Sequence, residues 1–221
     1  PVAHSFPTRR SSDLFGFPGR AIESMRQALV AHPEDDRLLA FAVYFWVNQG
    51  FWDEASSALA QLEQKGARDR YLDAACRYYM AAGRWRQAVP LCREWLARDP
   101  LSMGARECWL DLHNIENGTA AGLELARTWV AEHPAREDFE EVLFGRLGHF
   151  FADQEQEDLM RARVARSAED GWAWQQLGRL LLDQYSVKPA SERADFEAEI
   201  EAVQDECERT CPHDPATVGL R

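Results

Sequence analysis

The chain has 221 residues, 46% of them hydrophobic, and a formal net charge of −12, so it is long enough to bury a substantial core. The acidic balance argues against nucleic acid and against anionic membranes, both of which need basic patches. The longest apolar run, Leu38–Val47, is ten residues, too short to span a bilayer.

In chain order, residues 4–14 (HSFPTRRSSDL) share no pattern with the rest of the sequence and resemble the conceptual translation of a short-read sequencing adapter. Residues 1–14 are therefore read as a leader that contributes nothing to the fold. From residue 15 onward apolar side chains recur at helical spacing, and no stretch alternates apolar and polar long enough for a convincing strand. Eleven helices are predicted, over 18–31, 35–48, 52–65, 69–82, 85–98, 102–116, 119–132, 136–153, 155–168, 170–185 and 191–210. Gly50, Gly83 and Gly118 stand where helix ends need a residue tolerant of positive φ, and Pro33, Pro100 and Pro134 stop helices and restart the chain. In the eighth helix Phe139, Leu143, Leu147 and Phe150 supply the helical spacing.

Three stretches superimpose: Arg20–Pro33, Gln87–Pro100 and Ala121–Pro134, each ending in proline. The step from Pro33 to Pro100 is twice the step from Pro100 to Pro134, to within one position. Glu54–Ala67 is a further copy without the proline. Ala21, Ala55, Ala88 and Gly122 then recur at the shorter of those two steps, again to within one position. A small residue recurring at that interval marks where two helices cross, because a large side chain there would force their backbones apart. A period of about 34 residues is the signature of stacked helix pairs, none of which buries its apolar face alone.

The first helix of each unit adds a second pattern: Leu39, Ala42, Val43 and Trp46, then Leu72, Ala75, Cys76 and Tyr79, then Trp174, Leu177, Gly178 and Leu181. A large residue, an apolar–small pair and another large residue, followed by a later small residue and a closing proline, resembles the tetratricopeptide repeat. The resemblance runs from about Gly16 to Pro215; the fifth unit has no clear small-residue marker, and the turn at Asn117–Gly118 is one residue longer. It implies an all-α fold, a right-handed α-solenoid of stacked antiparallel helix pairs over 15–215, that binds a protein or peptide segment on its concave surface. The basic and asparagine clamp with which some family members grip a carboxylate terminus is not found here. The helix at 18–31 has no upstream partner, and Asp214–Pro215 before 216–221 reads as the opening of a truncated repeat, so the chain is expected to be a fragment of a longer protein.

The inner stripe of the first helices is used for packing, which leaves a second set on the concave side. Phe41, Tyr44 and Asn48 lie there in the first full unit, Asp73 and Arg77 in the next, and Gln175, Arg179 and Asp183 in the sixth. Aromatic anchors flanked by polar side chains suit a peptide groove, although Phe41 and Tyr44 would also suit contact with an upstream repeat. Among the five cysteines, Cys76 and Cys92 replace small apolar residues of sister repeats and read as buried free thiols; the odd count favours a reducing, cytoplasmic setting. Cys207, Cys211 and His213 lack both paired ligand spacing and a fourth ligand, so no metal site is read. The acidic segment Ser191–Asp214 sets Glu197, Glu201, Asp205 and Glu208 on a face apart from Phe196, Ile200, Val203 and Cys207, an amphipathic helix with one solvated side. His32, His113, His133 and His149 have no nucleophile beside them, and no nucleotide-binding or hydrolase motif is present. The reading is a non-enzymatic scaffold without cofactor; the alternative is a regulatory or substrate-positioning arm of a multidomain enzyme whose catalytic domain lies elsewhere.

Overall fold

The computed structural model describes residues 18–211. The expectations for residues 1–14, for His213 and for 216–221 fall outside them. Within them the chain forms eleven α-helices and no strand: α1 Pro18–Ala31, α2 Asp36–Gln49, α3 Trp52–Lys65, α4 Arg68–Ala81, α5 Trp85–Arg98, α6 Met103–Asn117, α7 Thr119–Glu132, α8 Glu137–Gly148, α9 Asp153–Arg166, α10 Gly171–Val187 and α11 Arg193–Thr210. The chain divides into two compact units, Pro1–Gly122 and Leu123–Arg221.

In unit 1 the predicted inner stripe is buried: Leu39, Ala42, Val43 and Trp46 of α2, and Leu72, Ala75 and Cys76 of α4, are all at most 1% exposed. The crossing alanines Ala55 of α3 and Ala88 of α5 are fully buried, so their backbones approach without a side chain to hold them apart. Trp46 is gripped edge-on by Phe45 and Phe51, with ring centroids 4.9 and 5.6 Å away. Ala21 of α1 is exposed instead. The turns close as their glycines require. Gly50 and Gly83 adopt φ of 78° and 70°, and the next residues, Phe51 and Arg84, donate back to Trp46 O and Tyr79 O at 2.9 and 2.8 Å. These are helix ends sealed by a left-handed residue. The extra residue of the fourth unit lies in the helix and not in the turn: α6 has 15 residues against 14 in α2 to α5, and Gly118 alone separates it from α7.

Unit 2 has an apolar core of Leu123, Ala126, Leu143 and Leu147, and a second of Met160, Val164, Ala173, Trp174, Leu177, Leu181, Ile200, Val203, Cys207 and Cys211. Cys207 and Cys211 pack in that core, and Cys211 Sγ donates to Ala168 O at 3.5 Å. Glu197, Glu201, Asp205 and Glu208 are exposed on the other side of α11. Unit 2 also buries charge. Arg163, 2% exposed, donates through Nε to Asp170 at 2.5 Å and through NH1 to Glu137 O at 3.0 Å, and its guanidinium lies 4.7 Å over the Trp172 ring. Burial disfavours its charge, but the Asp170 hydrogen bond and the charges of Asp170, Glu137 and Glu141 outweigh this and raise its pKa.

One helix differs from the sequence expectation. The span 136–153 stops at Gly148, and α9 starts at Asp153. The amides of His149, Phe150 and Phe151 turn to Arg146 O, Leu147 O and Gly148 O, and Ala152 reaches back to Leu147 O. Phe151 takes φ of 54°, the left-handed conformation that glycine holds in the sister turns. Phe150, expected in the apolar stripe, is 39% exposed. The missing small residue of this unit is also explained. Gln156 stands one repeat after Gly122; it is 5% exposed and donates to Phe144 O at 2.9 Å. Space for it comes from the facing helix: a Cβ on Gly148 would sit 3.1 Å from Gln156 Nε2.

Candidate peptide-binding faces

In unit 1, α3 packs on α2 and α5 on α4, and one side of α2 and of α4 remains exposed. On α2, Phe41 and Tyr44 are 54% and 51% exposed, and Asn48 is exposed too. One repeat on, in α4, Asp73 is half-buried and accepts from exposed Arg77 Nε at 2.7 Å, an i,i+4 pair with the acid on the favourable N-terminal side. That hydrogen bond is the main reason the Arg77 pKa is raised; burial opposes it, and the charges of Asp73, Glu107 of α6 and Tyr44 of α2 add to it. Tyr44, Arg77 and Glu107 therefore lie near one another across three successive first helices. Arg77 also lines a recess of about 110 Å³ with Met80, Trp95, Glu107, Cys108 and Asp111. Gly104 keeps this recess open on one side, since a Cβ there would meet the Trp95 ring at 2.8 Å.

In unit 2 a wider groove of about 450 Å³ lies between α8 and α10 and is floored by α9. Arg179 and Asp183 of α10 line it, both strongly exposed and 3.9 Å apart. Gln175 is half-buried and does not line it, whereas its neighbour Gln176 does. Gly145 and Gly148 of α8 form the opposite wall with His149, whose Nδ1 lies 2.7 Å from Gly145 O. Nothing lies within 4 Å of the Cβ position of Gly145, so the groove is open where that side chain would have been.

Of the positions expected from the sequence, Arg77, Arg179 and Asp183 line these recesses; Glu107, Asp111, Gly145 and Gln176 line them as well without having been expected. The period could have supplied two of them. Tyr44, Arg77, Asp111, Gly145 and Arg179 succeed one another at the repeat interval, to within one position, and the last four line one of the two recesses. A repeated position thus carries tyrosine, arginine, aspartate, glycine and arginine in turn, which a packing position would not tolerate. Among the described residues no three His, Cys, Asp or Glu side chains are grouped to hold a metal ion, and no helix is long and apolar enough to cross a membrane.

No family profile and no curated relative matches the chain. Solved structures do. A tetratricopeptide repeat protein from Parabacteroides merdae aligns with 96% of this chain and 78% of its own length, at 14% identity and a TM-score of 0.55. A thermophilic tetratricopeptide repeat protein of Thermus thermophilus aligns with 84% of this chain and 97% of its own, at 14% identity and a TM-score of 0.47. YrrB, described as a tetratricopeptide repeat protein with an unusual peptide-binding site, gives 88%, 96%, 9% and 0.44 in the same order. With the helix order, the first of these establishes the fold class: all-α, of the tetratricopeptide-repeat solenoid type.

Proposed function

We propose that this chain is a non-enzymatic scaffold that binds an extended protein segment on the open side of its first helices. The observation that carries the reading is the variable position at Tyr44, Arg77, Asp111, Gly145 and Arg179, repeated with the architecture yet free of packing duty. Stacked repeats present such positions to ligands, and affinity gathers on aromatic and arginine anchors. The open positions mix Arg77, Arg179 and His149 with Asp73, Glu107, Asp111, Asp153 and Asp183. With a net charge of −12, they suit a neutral to basic peptide and disfavour nucleic acid. Exposed Phe41 and Tyr44 supply the apolar anchors.

The test is selection of displayed random peptides on the immobilised protein, followed by fluorescence polarisation with a labelled selected peptide. Tyr44→Ala with Arg77→Ala is expected to weaken binding roughly tenfold or more, with far-ultraviolet circular dichroism unchanged. Unchanged affinity in that double variant, or a selection that returns no peptide bound by the native sequence, overturns the proposal.

A further inference from the structure

Three helices of unit 1 bring their thiols to one place. Cys76 of α4, Cys92 of α5 and Cys108 of α6 are evenly spaced along the chain, and all three are free. Cys76 and Cys92 belong to one buried core, Cys108 packs against it, and the three thiols lie close enough to influence one another electrostatically. Cys76 and Cys92 are fully buried, and Cys92 Sγ also donates to Ala105 O at 3.3 Å, one turn before Cys108. Cys108 differs from both. It is half-buried and lines the recess that opens between Arg77, Glu107 and Asp111. A small solute entering the recess therefore meets the Cys108 sulfur, and Cys76 and Cys92 lie in the core against which Cys108 packs.

We infer that Cys108 is a site of oxidation by hydroperoxides, with Cys76 or Cys92 placed to close a disulfide behind it. The Cys108 thiolate attacks one oxygen of the peroxide, the O–O bond breaks, and for hydrogen peroxide a hydroxide ion leaves. The sulfur is oxidised to the sulfenic acid and the peroxide is reduced. A neighbouring thiol then gives up its proton and attacks the sulfenic sulfur; the S–S bond forms, and the hydroxyl leaves with that proton as water. Accessible thiolates with a resolving thiol alongside are the ones that follow this course. The electrostatics agree with the geometry. The neighbouring Cys76 and Cys92 thiols lower the Cys108 pKa below the usual thiol value, with the charge of Arg77 assisting. The same proximity and burial raise Cys76 strongly, and Cys92 through its neighbour Cys108. Of the three, Cys108 is the one that borders the recess and whose thiolate the Arg77 charge favours. Cys207 and Cys211, buried in unit 2 at 1% and 6% exposure, serve as internal controls. This site stands whether or not the open face binds peptide.

The experiment treats the reduced 221-residue chain with hydrogen peroxide at neutral pH, with and without dimedone to trap sulfenic acid, then blocks remaining thiols and maps tryptic peptides by mass spectrometry. Trypsin places the three cysteines in separate peptides, Tyr71–Arg77, Gln87–Arg93 and Glu107–Arg127. The dimedone adduct is expected on Glu107–Arg127. Without dimedone, that peptide should be joined to Tyr71–Arg77 or Gln87–Arg93, and two titratable thiols should be lost. Cys108→Ser should abolish both products, whereas replacing the resolving cysteine should preserve the sulfenic adduct and remove the disulfide. The inference fails if the adduct in the native sequence forms as readily on Cys207 or Cys211. It also fails if Cys108→Ser consumes peroxide as fast as the native sequence.

Discussion

Unit 1 and unit 2 build the same helix pair with different materials. In unit 1 the crossings are made by Ala55 and Ala88, and the buried side chains are aliphatic, aromatic or thiol. In unit 2 the corresponding region buries Glu140, Gln156 and Arg163. Apolar contacts are tolerant of small shifts, whereas a buried ion needs each of its partners in place. Arg163 is held by Asp170 and Glu137 and stacked on Trp172, while Arg166 meets both oxygens of Glu140 at 2.8 Å. Asp170 also accepts from Ala173 N at 3.0 Å and so caps α10. One arginine thus ties α8, the end of α9 and the start of α10 together. The repeat tolerates either chemistry because its geometry depends on the distance between helices rather than on what fills the space.

The largest expected effect comes from breaking the ionic side of that contrast. Arg163→Met leaves the nearly buried Asp170 without its guanidinium partner, while Glu140 keeps Arg166, and should cost about 3–5 kcal/mol. Arg26→Met in unit 1 removes an exposed pair with Glu54 at 3.4 Å and should cost no more than about 1 kcal/mol. Urea unfolding followed by tryptophan fluorescence measures both. If the two variants lose similar amounts, the buried network is not what holds unit 2.

A smaller effect sharpens the comparison at the crossings. Gly122 stands against Asn114, and a Cβ there would fall 1.7 Å from Asn114 Oδ1, a buried oxygen without a hydrogen-bond partner. One repeat later the arrangement is reversed: Gly148 replaces Asn114 in position and Gln156 replaces Gly122, and here the amide is satisfied by Phe144 O. Gly122→Ala should destabilise by roughly 1–3 kcal/mol through overpacking. Adding Asn114→Ala should return that loss, and alanine's better helix propensity should lift the pair as much as about 1 kcal/mol above the native sequence. A neutral single variant in thermal unfolding would mean that α6 and α7 do not cross at this pair.

This exchange also shows where the sequence could be read and where it could not. Leu39, Ala42, Val43 and Trp46 declared their burial because helical spacing and residue type agreed. Gly50 and Gly83 declared their turns because glycine alone takes a left-handed conformation freely. The fifth unit was hard to read because both markers had been replaced: Phe151 for the turn glycine and Gln156 for the small crossing residue. Their roles depend on neighbours, Gly148 above all, that no local pattern reveals. On the open face, Tyr44, Arg77 and Arg179 were legible as outward polar or aromatic positions. Gly145 was not, because a missing side chain leaves no chemical trace. Gln176 lines the unit 2 groove and Gln175 does not, because one step along a helix turns the side chain by about 100°. The convergence of Cys108 on Cys76 and Cys92 depends on three helices meeting, so it too becomes visible only in the fold.

The smallest expected effect tests the turn that unit 2 makes without glycine. Phe151 is 88% exposed and held at φ of 54°, so its ring gains little from burial while its backbone sits in a conformation costing a side-chain-bearing residue about 1–2 kcal/mol. Its counterparts Gly50 and Gly83 incur no such cost. Phe151→Gly should therefore relieve the strain, offset in part by the greater freedom of glycine in the unfolded chain, for a net gain of roughly 0.5–1 kcal/mol. Measured as a rise in the urea midpoint at constant slope, that gain would place the turn of α8 into α9 in the same class as the glycine turns of unit 1. A loss of stability instead would show that the aromatic ring makes a contact which outweighs the backbone strain, and the equivalence of the turns in the two units would then fail at Phe151.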